Sequence, residues 1–218
     1  MMKVSDKGVL ELAEHEGIVL GPYLDSVGVW TYGVGHTAAA GGPDPSKMPK
    51  VDTRSWTKEQ VNEEVMKVLQ LFDVDLDKYE ARVNRAITRP LQQHQFDALV
   101  SFDFNTGGIL RANLTKEINS GNLSGDGFMG WVRPKEIIKR RKAEQALFRT
   151  GNYDANGSFI PVYDVTKDGK PRFRFSLNSK ELDSLMKKVN TTHTVAKPSS
   201  NSISNIFLGW AKKLFKRP

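Results

Sequence analysis

The 218-residue sequence predicts an α+β fold that is mostly helical and contains a small β-hairpin. A short amphipathic stretch ends at Gly17, where a helix is expected to stop. Residues 29–34 then alternate between large apolar side chains and small or polar ones, which is typical of a strand. Apolar residues at helical spacing fill most of residues 57–107, so helices are expected to dominate the rest of the fold.

The first helix is predicted to begin at Ser5 or Asp6, whose side-chain oxygens can cap it, and to end at Gly17. Glu16 then lies in the last turn, near the negative end of the helix dipole. This position disfavours a charged carboxylate and suits a general acid.

A β-hairpin is expected next, with a turn at residues 25–28 and a strand at residues 29–34. Alternation divides this strand into an apolar face that packs on the core, formed by Trp30, Tyr32 and Val34, and an open face formed by Thr31, Gly33 and Gly35. Two glycines beside one threonine predict an open backbone surface that a ligand can approach closely. A flat sugar chain is a ligand of suitable shape.

Two carboxylates and a hydroxyl are thereby held at fixed spacing, and they are the groups needed to cut a glycosidic bond. One carboxylic acid protonates the leaving oxygen, and the second carboxylate directs a nucleophile to the sugar carbon. By itself, a pair such as Glu16 and Asp25 more often means two solvated surface charges, and a Gly-X-Gly segment is equally weak evidence.

Helix-capping and helix-breaking residues predict the elements that follow the hairpin. Residues 37–54 are rich in Gly, Pro and small side chains and predict a loop beside the hairpin. A capping box at residues 57–60 predicts a helix reaching Phe72, and a second helical stretch runs from Leu76 until Pro90. A central helix is expected to end at Gly107.

The complete string from Glu16 to His36 resembles the signature of the phage-type lysozymes, the bacteriophage endolysins of glycoside hydrolase family 24. That signature is Glu-Gly, then Tyr-X-Asp, then Gly-X-X-Thr-X-Gly-X-Gly-His, and it is filled here by Glu16, Gly17, Tyr23, Asp25, Gly28, Thr31, Gly33, Gly35 and His36. Residues 95–107 resemble the family's central buried helix, and Trp131 with residues 138–144 resembles its Arg-Arg-X-X-Glu helix. The resemblance covers residues 5–150.

The resemblance implies a two-lobed lysozyme-like fold, with the β-hairpin lobe joined to a helical lobe by a long helix. It implies peptidoglycan as substrate, cut between N-acetylmuramic acid and N-acetylglucosamine, with Glu16 as general acid and with Asp25 and Thr31 holding the attacking water. It implies no metal and no cofactor. The substrate-contacting residues are expected to be Tyr23, Gly33, Gly35, Thr37, Phe104 and Asn105, with His36 in a structural role beside them.

The stereochemistry expected from the resemblance is inverting, which places the two carboxyl groups about 6.5–9.5 Å apart, whereas a retaining route needs about 5–5.5 Å. Arg140 and Arg141 are expected to pair with Glu136 or Glu144 at helical spacing rather than to take part in catalysis.

Other wall-cutting chemistries are disfavoured by composition. The chain has no cysteine, which excludes a Cys–His amidase, and its four histidines lack the spacing of zinc ligands. The sequence has no run of 18 or more apolar residues, so no membrane-spanning helix is expected. It also has no apolar segment at the N-terminus, so no signal peptide is expected.

Three segments are predicted. Residues 1–190 form the catalytic domain, with an extra hairpin turning at Asp168 and an extra helix within about 151–190 that widen the second lobe. Residues 191–202 form a flexible linker rich in Ser, Thr and Asn. Residues 203–218 form a basic amphipathic helix that either contacts an anionic membrane or lipopolysaccharide or docks on the catalytic body.

Charge is concentrated in this tail. Residues 191–218 carry five of the 32 basic residues and none of the 25 acidic ones, hence +5 of the net charge of +7. The body is nearly neutral, and a nucleic-acid partner is not expected.

Two alternative functions stay open at this point: a lytic transglycosylase, which needs no water, and a wall- or membrane-binding protein acting through its tail. For an endolysin we expect a monomer that stays in the host cytoplasm until a holin opens the membrane, and then reaches the periplasm and cell wall. The sequence leaves open the alternative that the protein is a lysin carried in the virion.

Overall fold

In the computed structural model the described residues are 1–154, 159–178 and 180–182. The linker and tail predicted at residues 191–218, and the part of the extra helix beyond Leu182, lie outside the described residues. Five α-helices and five β-strands make up the described fold, and short 3-10 turns connect some of them. The helices are α1 (Asp6–Glu16), α2 (Lys58–Ala86), α3 (Gln93–Thr106), α4 (Asn113–Asn119) and α5 (Ile138–Thr150), and the strands are β1 (Ile18–Leu24), β2 (Trp30–Gly33), β3 (His36–Thr37), β4 (Phe159–Val165) and β5 (Pro171–Asn178).

The end of α1 follows directly from the sequence. Ser5 caps the N-terminus by accepting a hydrogen bond from the Gly8 N–H, and Gly17 ends the helix with φ +78°. The predicted helix is therefore confirmed, and Glu16 is its last residue.

A single helix, α2, replaces the two helical stretches predicted between residues 57 and 90. Thr57 and Gln60 form the expected capping box, and the helix then runs for 29 residues without interruption. No Gly or Pro occurs within it, so its backbone bonds continue past Phe72. This helix packs on β1 and β2 of the sheet and also on α3, which makes it the long connection between the sheet and the helical part.

The helix α3 is the centre of the helical part. Eight consecutive residues, 96–103, are buried, so all faces of this part of the helix are covered by protein. Five of these residues are 0% exposed: Ala98, Leu99, Val100, Phe102 and Asp103. Gly107 ends α3 in the left-handed conformation, as predicted. This observed α+β architecture confirms the predicted fold class.

The sheet differs from the expectation in the placement of the second hairpin. Strands lie in the order β3–β2–β1–β4–β5, with β1 and β4 parallel and the other pairs antiparallel. The β4–β5 hairpin turns at the predicted place, since Gly169 has φ +76°. The prediction that it widens the second lobe is wrong, because it joins the sheet beside β1.

The β4–β5 hairpin also anchors the segment between β3 and α2. Arg174 donates hydrogen bonds to the carbonyls of Thr53 and Trp56 and to the carboxylate of Asp164. Thr53 is fully buried and donates in turn to Asp164. The loop predicted at residues 37–54 begins in β3 and runs through three 3-10 turns.

Candidate active site

Glu16 lies at the junction of α1 and β1, with 29% of its side-chain area exposed. The N–H of Gly17 donates to the carbonyl of Ala13 and closes the helix. Arg140, on α5, donates from Nη1 to Oε1 of Glu16. The predicted acid is thus reachable from solvent and held by a residue 124 positions later in the chain.

A buried charge network holds Arg140 in place. Glu144 accepts hydrogen bonds from Arg140 Nε at 3.0 Å and from Ser101 Oγ at 2.8 Å, and it pairs with Arg141 at 2.7 Å. The side chains of Arg141 and Glu144 are 0% and 1% exposed. Burial lowers the pKa of Arg140, but Glu16 and Glu144 raise it by more, so the guanidinium stays charged.

The sequence-based pairing of these arginines with Glu144 is confirmed, whereas the contact of Arg140 with Glu16 was missed.

The residue before the acid, His15, is neutral in this setting. Burial, followed by the charges of Arg140, Arg141 and Lys139, lowers the pKa of His15 to about 3. His15 therefore adds no positive charge beside Glu16 at neutral pH.

Asp25 begins the turn between β1 and β2. Its Oδ1 accepts hydrogen bonds from the N–H groups of Val27 at 2.9 Å and Val29 at 2.8 Å, so the carboxylate closes its own turn. Gly28 completes the turn with φ +81°. The second oxygen, Oδ2, accepts no hydrogen bond from the described residues and is available to a ligand.

Thr31 is fixed by the same residue, Val29, that holds the Asp25 carboxylate. Its Oγ1 donates to the carbonyl of Val29 at 3.1 Å, while the Val29 N–H donates to Asp25. The Thr31 side chain is nearly buried, at 3% exposure, and its Cα pairs with those of Tyr23 and Thr37 on the two neighbouring strands. The structure therefore brings the hydroxyl and the carboxylate to one turn.

Tyr23 links the two carboxylates. Burial raises the pKa of its phenol to about 12, and the charges of Asp25 and then of Glu16 add to the effect. Both carboxylates therefore lie close enough to this half-buried side chain on β1 for their charges to raise its pKa. The tyrosine is a neutral hydrogen-bonding group at physiological pH.

The glycines of β2 and its turn differ from each other. The expectation that Gly33 forms part of an open backbone surface is wrong, because a Cβ there would lie 2.8 Å from Cγ1 of Val68 on α2. The close approach predicted for this glycine is made by the helix rather than by a ligand. A Cβ at Gly35 would meet no heavy atom within 4 Å, so Gly35 is open as expected.

The two predicted contact residues on α3 have protein partners in the structure. Phe104 is half-buried, with its ring centroid 5.5 Å from that of Phe72 and 5.0 Å from that of Tyr79. Asn105 is exposed, and its Oδ1 accepts a hydrogen bond from Arg141 at 2.7 Å. The buried arginine pair thus reaches both Glu16 and Asn105, and this supports a common cleft wall.

His36 is buried at 2% exposure and hydrogen-bonded on both sides. Its Nδ1 lies 2.7 Å from Oδ2 of Asp75, and its Nε2 lies 2.8 Å from the carbonyl oxygen of Pro43. Because both partners offer acceptor oxygens, and only a protonated imidazole can donate from both ring nitrogens, these contacts favour the charged form. Burial lowers the pKa of His36, but these contacts raise it by more, so the net shift is upward.

The His36–Asp75 pair is expected to make stability depend on pH. Since the folded-state pKa of His36 lies above its unfolded value of 6.5, the stabilisation is complete below that pH and is lost as the pH rises through the folded-state pKa. Asp75→Asn should lower Tm by several degrees at about pH 5.5, and the difference from the parent should narrow towards about pH 9. A difference that widens with pH would contradict the pairing.

Asp77→Asn serves as the control for this pH series. Asp77 lies on the same helix, is exposed and pairs with Lys3 instead of a histidine. Its effect on Tm should stay constant between these two pH values.

Among residues 1–154, 159–178 and 180–182, no group of three or more His, Asp or Glu side chains is placed to hold a metal ion. In the same part of the chain, no helix is long and apolar enough to cross a membrane.

Comparisons with known proteins agree with the fold and the motif. The phage lysozyme family model matches residues 13–144. The chain is 32% identical over 162 residues to an endolysin of Acyrthosiphon pisum secondary endosymbiont phage 1, and 33% identical over 156 residues to the endolysin of Salmonella phage P22. Each alignment covers 68% of this chain and 99% of the relative.

A solved structure of an endolysin from the Escherichia coli phage FAHEc1 superimposes with a TM-score of 0.54. The two sequences are 28% identical, and the match covers 70% of this chain and 96% of that one. The chain therefore belongs to the phage lysozyme family.

Proposed function

We propose that this chain hydrolyses the β-1,4 bond between N-acetylmuramic acid and N-acetylglucosamine. Family membership makes it a peptidoglycan-hydrolysing lysozyme, and the choice of bond follows the resemblance of its motif. The observation that carries the residue assignment is the turn at Val29, whose N–H holds the Asp25 carboxylate and whose carbonyl holds the Thr31 hydroxyl. Tyr23, on β1, lies close enough to both Asp25 and Glu16 for each charge to raise its pKa.

Glu16 acts as the general acid and donates its proton to the glycosidic oxygen. The contact with Arg140 supports this role in two ways. The guanidinium fixes the carboxyl group in one orientation, and it stabilises the carboxylate that remains after the proton has left. Arg140 acts through Glu16 and is a positioning residue.

Asp25 and Thr31 hold the water that attacks the opposite face of the sugar. The occupied Oδ1 of Asp25 orients the carboxylate, so that Oδ2 is free to accept a proton from the water. The Thr31 oxygen offers its lone pairs from the same turn, because its hydrogen is donated to Val29. Attack from this side as the bond breaks gives inversion at the sugar carbon.

The remaining contact residues belong to the two walls of this site. Tyr23, Gly35 and Thr37 are proposed to contact substrate from the sheet, and Phe104 and Asn105 from α3. Gly33 is packed against α2 and is no longer proposed as an open contact. His36 holds β3 to α2 and has a structural role.

In the proposed setting the protein is an endolysin that acts as a monomer and reaches the wall after a holin opens the host membrane. The host cytoplasm is its proposed location before lysis, and the periplasm and wall afterwards. Contact of residues 203–218 with an anionic membrane or lipopolysaccharide is proposed as an aid to this action.

The identity of the product ends tests the proposed function. Purified peptidoglycan digested by the protein should yield fragments with a hydrated N-acetylmuramic acid at the reducing end, as read by mass spectrometry. An N-acetylglucosamine reducing end would contradict the choice of bond. An anhydro end would mean a lytic transglycosylase, which Asp25 and Thr31 argue against because that reaction uses no water.

A chain ending near Asn190 separates catalysis from binding through the tail. Hydrolysis of purified peptidoglycan should persist without the tail. Loss of hydrolysis while the shortened chain stays folded would favour a wall- or membrane-binding protein instead.

A further inference from the structure

The β4–β5 hairpin runs along the strand whose two ends carry the proposed catalytic carboxylates. At one end of β1, the ring of Tyr163 lies where a Cβ at Gly17 would be only 3.0 Å from its Cε2. At the other end, the carbonyl of Gly169 accepts a hydrogen bond from the Leu24 N–H at 3.0 Å. The hairpin therefore spans from the neighbour of Glu16 to the neighbour of Asp25.

The glycine after Glu16 is what allows this approach. Its φ of +78° is unfavourable for other residues, and a side chain there would meet both Tyr163 and Pro161. The ring of Tyr163 consequently lies within one residue of the proposed general acid. The hairpin lies outside residues 13–144, which match the family model, so the shared family fold assigns it no role.

An aromatic pair faces solvent on this hairpin. Tyr163 and Phe173 are cross-strand partners, with ring centroids 6.0 Å apart and ring planes at 78°. Phe173 is 63% exposed and Tyr163 is half-buried. A single exposed apolar residue is ordinary, but two paired rings beside a polysaccharide-cutting site offer a ligand surface continuous with it.

The chemistry of this surface suits a sugar. One face of a pyranose ring presents C–H groups, which pack on an aromatic ring, while the hydroxyl groups at its rim stay hydrogen-bonded to water or to polar side chains. Tyr163 adds a phenol that can donate or accept such a bond.

We propose that Tyr163 and Phe173 form an additional saccharide-binding surface, which holds the peptidoglycan glycan strand where it leaves the catalytic site beside Gly17. This inference rests on the proposed function, since the glycan strand is the substrate of that site. The surface would favour long strands over short fragments, because only a long strand reaches both Glu16 and the aromatic pair.

Two measurements on Phe173→Ala test the proposal. In a Glu16→Gln background, in which turnover is expected to be slow, the dissociation constant for insoluble purified peptidoglycan should rise about three- to tenfold, the range expected for one lost ring contact. In the otherwise native protein, kcat/KM on long glycan strands relative to a short soluble fragment should fall by a similar factor. Phe173→Tyr should retain both properties, because it keeps the ring.

Leu123→Ala is the matched control, since Leu123 is a similarly exposed apolar residue, 44% exposed, on the helical part. This substitution should leave unchanged both the dissociation constant for peptidoglycan and the ratio of kcat/KM on long strands to that on the short fragment. The proposal would be overturned if Phe173→Ala changed neither peptidoglycan binding nor the ratio of kcat/KM on long strands to that on the short fragment. It would also be overturned by an equal loss of kcat/KM on long and short substrates, which would indicate distortion of the catalytic site. Weakened binding to phosphatidylglycerol vesicles, with peptidoglycan binding intact, would assign the pair to a membrane and overturn it as well.

Failure of the proposed function would look different. In that case Glu16→Gln itself would hydrolyse peptidoglycan at the parent rate, whatever residue stands at position 173.

Discussion

Replacing Glu16 with glutamine is expected to lower the rate of peptidoglycan hydrolysis by about 10²–10⁴-fold, the typical contribution of a general acid. The amide cannot donate a proton to the leaving oxygen. Its carbonyl can still accept the hydrogen bond from Arg140, so the wall of the site should keep its shape. Release of reducing sugar from purified peptidoglycan measures the rate, and thermal unfolding checks the fold.

Glu136→Gln is the control for this experiment. Glu136 is an exposed glutamate that precedes α5 by two residues, and its replacement should leave the hydrolysis rate close to that of the parent. If Glu16→Gln hydrolysed at the parent rate while folded, the assignment of the acid would be wrong.

Replacing Glu144 with alanine is expected to cost about 3–5 kcal/mol of the free energy of unfolding, as is typical when one partner of a buried ion pair is removed. Arg141 has no exposed side-chain area, and Arg140 has 8%. Arg140 would keep its contact with Glu16, Arg141 would lose the carboxylate that lies 2.7 Å away, and Ser101 would lose its acceptor. At about 2–4 °C per kcal/mol, Tm should fall by roughly 10 °C.

The matched control is Glu63→Ala. Glu63 pairs with Lys67 at 3.1 Å and at the same i,i+4 spacing that joins Arg140 to Glu144, but its side chain is 60% exposed. Its loss should cost no more than about 1 kcal/mol, because water screens exposed pairs. Equally small effects of both substitutions would contradict the view that the buried network stabilises the fold.

These two predictions are physically connected. The network that Glu144 anchors also presents Arg140 to Glu16, so a structural element of the helical part reaches the proposed catalytic acid. A conservative Glu144→Gln protein, which keeps an acceptor for Ser101, should therefore lose less stability than Glu144→Ala.

The elements closed by local interactions could be predicted from the sequence. Ser5 and Gly17 bound α1, the Thr57 capping box begins α2, and Gly107 ends α3, because each of these signals acts within one helical turn. The turn at Asp25 belongs to the same class, since its hydrogen bonds reach only four residues along the chain.

Contacts between distant parts of the chain could not be predicted in the same way. Glu16 and Arg140 are 124 residues apart, and β1 and β4 pair in parallel over a similar separation. Periodicity identifies a strand or a helix but does not say which edge of a sheet it joins. The β4–β5 hairpin was therefore recognised as a hairpin and assigned to the wrong part of the molecule.

Gly33 shows a different limit of sequence reasoning. Strand alternation predicted an open face that includes Thr31, Gly33 and Gly35, and it assumed regular strand geometry. Gly33 has φ +61°, outside the strand region, and α2 packs against it at Val68. A glycine that permits close approach was correctly recognised, but the approaching group is a helix.

In the proposed mechanism, Glu16 donates a proton while Asp25 and Thr31 direct a water to the opposite face of the sugar. The anomeric configuration of the first product, followed by proton NMR before mutarotation, distinguishes this mechanism from its alternatives. We expect the product of β-bond cleavage to appear first as the α-anomer. A β-anomer would indicate a covalent intermediate on the second carboxylate, and an anhydro product would indicate that no water takes part; either result would exclude the proposed mechanism.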